Sequence, residues 1–390
     1  MRTQVAIIGA GPAGMFLAHL LARMGIETVV LERRSRDYVE GRVRAGVLDR
    51  ITVDVMGRLG IDARLKREGL DHGGTTLMFD GEMFHIDFVA HTGSPVTVYG
   101  QSEVMKDLFD ASDERGLKVV FEAEDVRPHE VDSDRPHVTY RKNGAIERVE
   151  CDFVAGCDGS HGVSHAAIPE GKLTRFERSY PFGWLGIMAD VPPVQHELIY
   201  CNHANGFALA SMRSATRSRC YLQCDVHERL EDWPDERFWD EFVLRLGPVA
   251  GARVTRGASF EKSIAPLRSF VAEPMRYGRL FFLGDAAHIV PPTGAKGMNL
   301  AVSDAVMLSE ALEQFYRKAS DAGLNLYSSC ALARVWKAER FAWWLTGLMH
   351  RFPENGPIER RLQRAEFDYL RDSRAGQTAF AENYVGLPLA

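Results

Sequence analysis

The stretch Gly9-Ala10-Gly11-Pro12-Ala13-Gly14 constrains this chain more than any other feature. It follows the apolar run VAII, opens the helical-looking segment GPAGMFLAHLLARMG, and precedes a second apolar run, ETVVLE, whose Glu32 stands 23 positions after Gly9. Two β-rich runs on either side of an amphipathic segment predict a βαβ unit. In such a unit Gly9 makes the tight turn, Gly11 lets the backbone approach a pyrophosphate, and Gly14 lets the helix pack closely on the strand. Pro12 and Ala13 belong to the same cofactor-binding turn, where the free N–H groups and dipole of the helix favour an anion. Glu32 would accept hydrogen bonds from the adenosine ribose. The pattern predicts a dinucleotide site and does not by itself separate FAD from NAD.

With 390 residues, 45% of them hydrophobic, the chain can bury a large core, and its length suggests two or three domains. A net charge of −6, with charges of both signs mixed along the chain, argues against a nucleic-acid or polyanion binder. The six cysteines show no CxxC and no paired zinc spacing, so they read as reduced thiols of a cytosolic protein, with no metal expected. No run of 18 apolar residues exists and the N-terminus lacks a signal-peptide pattern, so no membrane partner is expected.

Along the chain, TTLMFDGEMFHIDF predicts a hairpin turning at Asp80-Gly81, and the strands before Asp158 turn at Asn143-Gly144. QSEVMKDLFDASDERG predicts a helix between them. FGWLGIMADV, ELIYCNH, GFALASMR and SRCYLQCDV predict a second, mostly antiparallel sheet, followed by a helix around ERFWDEFVLRLG. MNLAVSDAVMLSEALEQFY and ALARVWKAERFAWWLTGLMHRF show helical periodicity. Trp336, Trp343 and Trp344 in that tail read as packing or interface residues. The strand RLFFL then leads into Gly284-Asp285-Ala286-Ala287-His288 and IVPPTGAKGMN, a second strand-to-helix passage.

Taken with GAGPAG and CDGSHG at 157–162, this passage resembles the single-component FAD-dependent aromatic hydroxylases. RVRAGVL, VYGQ, YPFGWLG, HELIY, SATRSR, EKSIAPLRSFV, WKAERF and AENYVGLP carry the resemblance over essentially the whole chain. It implies a mixed α/β (α+β) fold. A Rossmann-like FAD-binding domain (1–72, 98–180 and 268–297) would be interleaved with an antiparallel-sheet substrate domain (73–97 and 181–267), and 298–390 would form a C-terminal helical or interface region. It implies hydroxylation of 4-hydroxybenzoate to 3,4-dihydroxybenzoate with O2, FAD as cofactor and NADPH as co-substrate, NADH being the alternative. Another phenolic acid such as 3-hydroxybenzoate, and a non-enzymatic flavin-binding redox protein, are the competing readings. A homodimer is implied by resemblance only.

The resemblance also assigns residues. Arg42, Arg44, Gln101, Asp158, Arg219, Asp285, Gly297, Met298 and Asn299 join the glycine turn and Glu32 around FAD, with Asp285 on the ribityl chain. The amides opening the helix at Gly297 would face the pyrimidine edge and stabilise negative charge there. Ser211, Arg213 and Tyr221 would clamp the substrate carboxylate, because a guanidinium fork holds a carboxylate bidentately and the hydroxyls take its other lone pairs. Tyr200 and Tyr384 would draw the phenol proton in series toward His72, making the ring nucleophilic enough for an electrophilic, oxygenated flavin. Pro292 and Thr293 would border the reacting edge and keep water out. Arg33, Arg34, Tyr38, Arg44, His161 and Arg268 would receive NADPH, the three arginines of 33–36 suiting a 2′-phosphate. Arg34 and His165 depart from the residues usual at those places. Arg217 reads as solvated.

Overall fold

The computed structural model describes residues 1–42 and 46–389. Val5–Ile8, Pro12–Arg23 and Thr28–Leu31 form the βαβ unit, its strands parallel and buried. They sit in a six-stranded sheet whose order runs Arg276–Tyr277, Leu280–Phe282, Phe153–Gly156, Val5–Ile8, Thr28–Leu31, Lys118–Val120. All neighbours are parallel except the first pair, so the carboxyl ends of five strands point the same way. Helices Pro12–Arg23 and Gly297–Lys318 pack on this sheet and on each other.

A second sheet has eight strands in the order His288–Ile289, Ser259–Glu273, Thr174–Ala189, Arg217–Cys224, Gly206–Ser214, Ile199–His203, Gly74–Phe79, Glu82–Asp87. It is antiparallel apart from the pairing of Ile199–His203 with Gly74–Phe79. The expected hairpins turn where Asp80-Gly81 and Asn143-Gly144 adopt positive φ, the geometry that tight two-residue turns require. Two strands of the second sheet, Thr174–Ala189 and Ser259–Glu273, run across the expected boundaries at 181 and 267. One face of this sheet packs on the helix Asp235–Gly251, which kinks at Gly247-Pro248, where Gly247 has φ 68°. The other face turns toward the C-terminal helices Ala322–Met349, Pro357–Asp372 and Arg374–Val385. Trp344 packs among these helices, whereas Trp336 and Trp343 are 40% and 50% exposed. All six cysteines are free, five of them buried. Among the described residues no His, Cys, Asp and Glu group could hold a metal, and no helix is long and apolar enough to cross a membrane.

Candidate functional site

Strand register places Ile8, Leu31, Gly156 and Phe282 abreast, so the residues after them emerge together at one edge of the six-stranded sheet. These are the glycine turn, Glu32, Asp158 and Asp285, and the carboxyl edge of a parallel sheet is where such folds bind ligands. The glycines are sterically required. A Cβ on Gly9, which has φ 105°, would lie 2.3 Å from the Cys157 carbonyl oxygen, and one on Gly14 would lie 2.0 Å from the Gly9 oxygen. Gly11 instead faces open space beside the Pro12–Arg23 helix start. Glu32 is held by backbone donors, its two oxygens accepting from Ala10 N (2.9 Å) and Arg34 N (2.8 Å), which leaves further lone pairs for sugar hydroxyls. Asp158 uses Oδ2 on the amide and hydroxyl of Ser164, while its buried Oδ1 has no protein partner; burial raises its pKa. An unfilled acceptor and an open glycine turn at a helix N-terminus fit a dinucleotide.

The expectation for Asn299 changes in kind. Its Oδ1 accepts from Asp49 N and Thr52 Oγ1, and its Nδ2 donates to Val47 O and Ala295 O, so the amide is fully used. Only the backbone N–H groups of Gly297, Met298 and Asn299, which lack intrahelical partners, remain for a cofactor. Gln101 opens the helix Gln101–Arg115 and Arg42 stacks over Tyr38 at 5.8 Å. Arg44 lies outside the described residues.

The eight-stranded sheet gathers the second group. Tyr200 is opposite Leu209, Leu209 opposite Tyr221, Ser211 opposite Arg219, and Tyr221 opposite Gly186, so by the two-residue alternation these share one face; Arg213 sits at the register shift between Met212 and Ser214 and reaches the same side through Ser211 and Tyr221. Arg213 Nη1 donates to Ser211 Oγ (3.1 Å), and its guanidinium lies against Gly46, where a Cβ would be 2.7 Å from Cζ. Among the described residues no carboxylate pairs with Arg213, and burial lowers its pKa. Arg219 differs: its Nη1 stands 2.7 Å from Glu261 Oε1 and its guanidinium covers the Tyr221 ring at 5.2 Å. Arg217 pairs with Asp190 at the surface. Arg219 thus has a carboxylate partner at contact distance, whereas Arg213 has none among the described residues.

Tyr200 and Tyr384 are buried with hydroxyls 2.7 Å apart, one from a strand and one from the last helix. Burial pushes Tyr384 up to about 12 and Tyr200 well above its ordinary value. His72 is fully buried, with neither ring nitrogen bonded to protein; burial, then His196 and Arg213, bring its pKa down to about 4. Gly73, next to it, accepts from Phe88 N, and Phe88 stacks on Tyr384 at 4.9 Å. Pro292 and Thr293 form a short 3₁₀ turn. Thr293 Oγ1 is 2.9 Å from Thr346 Oγ1, and because the Thr346 hydroxyl donates to Ala342 O, Thr293 is the donor. Its hydroxyl proton is spent there, which leaves its backbone and the acceptor lone pairs of the hydroxyl.

Arg33, Arg34 and Tyr38 line a loop in which Arg34 lies over Tyr38 at 5.1 Å. Arg36 does not join them as a phosphate ligand, since Glu40, Asp110 and Asp113 surround its guanidinium, so two arginines of that loop remain. Arg268 bonds Ser160 Oγ, beside exposed His161. His165 stands 2.6 Å from Ala286 O through Nε2 and 3.3 Å from Arg175 Nη2 through Nδ1.

Comparison with known proteins shows the family to which this arrangement belongs. The FAD binding domain family model matches residues 2–342. Over 389 residues the chain is 53% identical to p-hydroxybenzoate hydroxylase of Acinetobacter baylyi (strain ATCC 33305 / BD413 / ADP1), covering 100% of this chain and 96% of that protein. The chain belongs to the p-hydroxybenzoate hydroxylase family of FAD-binding enzymes. Its fold is also that of p-nitrophenol 4-monooxygenase from Pseudomonas putida DLL-E4, with TM-score 0.83 and 19% identity over 99% of both chains. Aklavinone-11 hydroxylase, solved in a ternary complex with FAD and aklavinone, gives TM-score 0.74 and 20% identity over 92% of this chain and 72% of that one. The edge holding Gly9, Glu32, Asp158 and Asp285 thus belongs to an FAD-dependent hydroxylase.

Three members of this neighbourhood were not legible as functional from sequence: Gly46, which backs Arg213; Glu261, which balances Arg219; and Lys296, whose Nζ donates to Tyr384 O at 2.6 Å. Burial brings Lys296 down to about 8, with Asp49 opposing. Its place in GAKGMN, before a helix start, was the available signal.

Proposed function

We propose that this chain hydroxylates 4-hydroxybenzoate beside its phenol group, consuming NADPH, a proton and O2 and yielding 3,4-dihydroxybenzoate, NADP⁺ and water. The observation that carries the reading is buried Arg213, with no carboxylate at ion-pair distance among the described residues, on the same side of the sheet as the buried Tyr200–Tyr384 pair. A flat acid with a carboxylate at one end and a phenol at the other meets both. Bound FAD supplies the redox chemistry, accepting a hydride and delivering one oxygen atom of O2.

The chain's residues do the rest. Arg213 offers its N–H pair to the carboxylate, and the hydroxyls of Ser211 and Tyr221 take remaining lone pairs. The phenol proton passes to Tyr200 Oη as the Tyr200 proton shifts to Tyr384 Oη and the Tyr384 proton leaves toward His72 and solvent; with both pKa values raised, neither tyrosine holds a standing negative charge. His72, neutral above about pH 4, can take a proton at one nitrogen while releasing one from the other. Pro292, Thr293 and the aromatic wall keep water from the reacting edge. For the reductant we favour NADPH over NADH, with Arg33, Arg34, Tyr38, Arg44, His161 and Arg268 as its contacts, supported by the absence of acid partners at Arg33, Arg34 and Arg268 among the described residues. Segments 1–72, 98–180 and 268–297 form the FAD half of this reading, 73–97 and 181–267 the substrate half, and 298–390 the helical closure. Exposed Trp343, Ile358, Leu362 and Tyr369 support a homodimer, and six free thiols support a cytosolic setting.

The test is product analysis. FAD-loaded protein given NADPH, air and either 4- or 3-hydroxybenzoate should convert the 4-isomer to 3,4-dihydroxybenzoate on chromatography; turnover confined to the 3-isomer, or neither, defeats the reading.

A further inference from the structure

His350 ends the helix Ala322–Met349 and is fully buried, yet no step above uses it. Its protonation is fixed by its neighbours. The indole Nε1 of Trp184 is only a donor, so at 2.7 Å His350 Nε2 must be the acceptor, and the proton on Nδ1 points to Thr346 O at 3.1 Å. Burial brings its pKa down to about 3, which agrees with a neutral ring. The ring also stacks between Phe182 (4.8 Å, 6°) and Phe207 (4.3 Å, 28°).

Each neighbour of this imidazole touches a different side of the proposed pocket. Trp184 lies against Tyr221, at the carboxylate end (5.0 Å). Phe207 lies against Tyr200, at the phenol end (6.1 Å). Thr346, whose carbonyl accepts from Nδ1, receives the Thr293 hydroxyl beside the reacting edge. Three walls from two strands and a turn thus converge on one buried ring. A hydrophobic residue could fill the space but could not accept from Trp184, leaving a buried N–H unsatisfied.

The geometry points to His350 as a positioning residue that holds the carboxylate clamp, the phenol tyrosine and the Thr293 turn at one fixed separation, and so selects ring acids of 4-hydroxybenzoate's length. This rests on the substrate reading above. It touches neither substrate nor cofactor and acts through Trp184, Phe207 and Thr346.

The test uses FAD-loaded parent, His350→Leu, His350→Gln and His350→Asn. The readouts are the Kd of 4-hydroxybenzoate from the flavin absorbance change, the split of consumed NADPH between 3,4-dihydroxybenzoate and H2O2, and the melting temperature. Losing the Trp184 acceptor should raise Kd about tenfold in His350→Leu and shift NADPH consumption toward H2O2. His350→Gln, which places an acceptor where Nε2 stands, should restore both. A His350→Leu protein that binds and couples like the parent overturns the proposal, as does a His350→Gln protein that fails equally while melting with the parent. Should His350→Leu not load FAD, Gln against Asn decides: Asn is one methylene short and should lose coupling, and equal behaviour of the two overturns the role. A parent unresponsive to 4-hydroxybenzoate defeats the substrate reading and this role together, whereas a responsive parent with an unaffected His350→Leu defeats the role alone.

Discussion

Replacing Arg213 by Met keeps most of the side-chain volume and removes the charge. In the free protein this guanidinium has Ser211 Oγ and the Met212 carbonyl as hydrogen-bond partners and no paired carboxylate among the described residues. In the proposed reading the protein bears the cost of a buried cation before substrate arrives, and bound 4-hydroxybenzoate would supply the opposite charge. Truncating one partner of a buried, hydrogen-bonded charge pair costs about 3–5 kcal/mol. At about 1.4 kcal/mol per tenfold, the Kd of 4-hydroxybenzoate should rise by a factor of about 100 to 4,000. Titration of the FAD-loaded protein, followed by flavin absorbance, measures it. The neutral isostere 4-hydroxybenzamide is the control, because it should lose far less, so the parent's preference for the acid should collapse in the variant. Removing an uncompensated buried charge should also leave the melting temperature unchanged or raised. An acid Kd within threefold of the parent, or equal losses for acid and amide, refutes the assignment.

Tyr200→Phe removes only the hydroxyl 2.7 Å from Tyr384, so substrate Kd should change little while product per NADPH falls and H2O2 rises; unchanged coupling would remove the pair from proton transfer. Gly46→Ala brings a methyl within 2.7 Å of the Arg213 guanidinium and should weaken 4-hydroxybenzoate about tenfold while FAD affinity holds, as titration of each ligand would show. His19 and His72, with pKa about 4, and His350, about 3, are neutral in the fold, but each takes a proton near 6.5 when unfolded. Their contribution is whole above pH 6.5 and lost as pH falls toward 4 and 3, at about 1.4 kcal/mol per pH unit for each histidine. Urea unfolding of the FAD-loaded protein from pH 7 to 5 should show this decline, and His19→Leu should flatten it relative to the parent; parallel curves would contradict the assignment.

What could be read from sequence was set by local geometry. Gly9 and Gly14 are needed because a Cβ would strike backbone within the turn, and Gly284 because φ is 58°, so motif spacing carried the cofactor edge. The proposed clamp at 211–221 was named from the family resemblance; in the fold Gly206–Ser214 and Arg217–Cys224 are neighbouring antiparallel strands, and Arg213, at the register shift between Met212 and Ser214, bonds Ser211. What escaped depends on contacts between distant segments. Glu261 neutralises Arg219 from another strand, Asp110 and Asp113 engage Arg36 from a helix, and Asp49 N, Thr52 and Val47 use up the Asn299 amide. No spacing rule within one segment reports such a partner. The strands Thr174–Ala189 and Ser259–Glu273 cross the expected boundaries for a related reason: they pair along nearly their whole length, past the positions where the motifs change.

In the proposed function one small benzoate engages a cationic clamp and a tyrosine relay and thereby commits the flavin to hydroxylation. Anaerobic stopped-flow reduction of the FAD-loaded protein by NADPH, with and without 4-hydroxybenzoate and followed by an oxygen pulse, tests it most directly. Reduction should be faster with 4-hydroxybenzoate present and the pulse should yield 3,4-dihydroxybenzoate; reduction indifferent to this acid, or oxygen consumed only to H2O2, would overturn the proposed function.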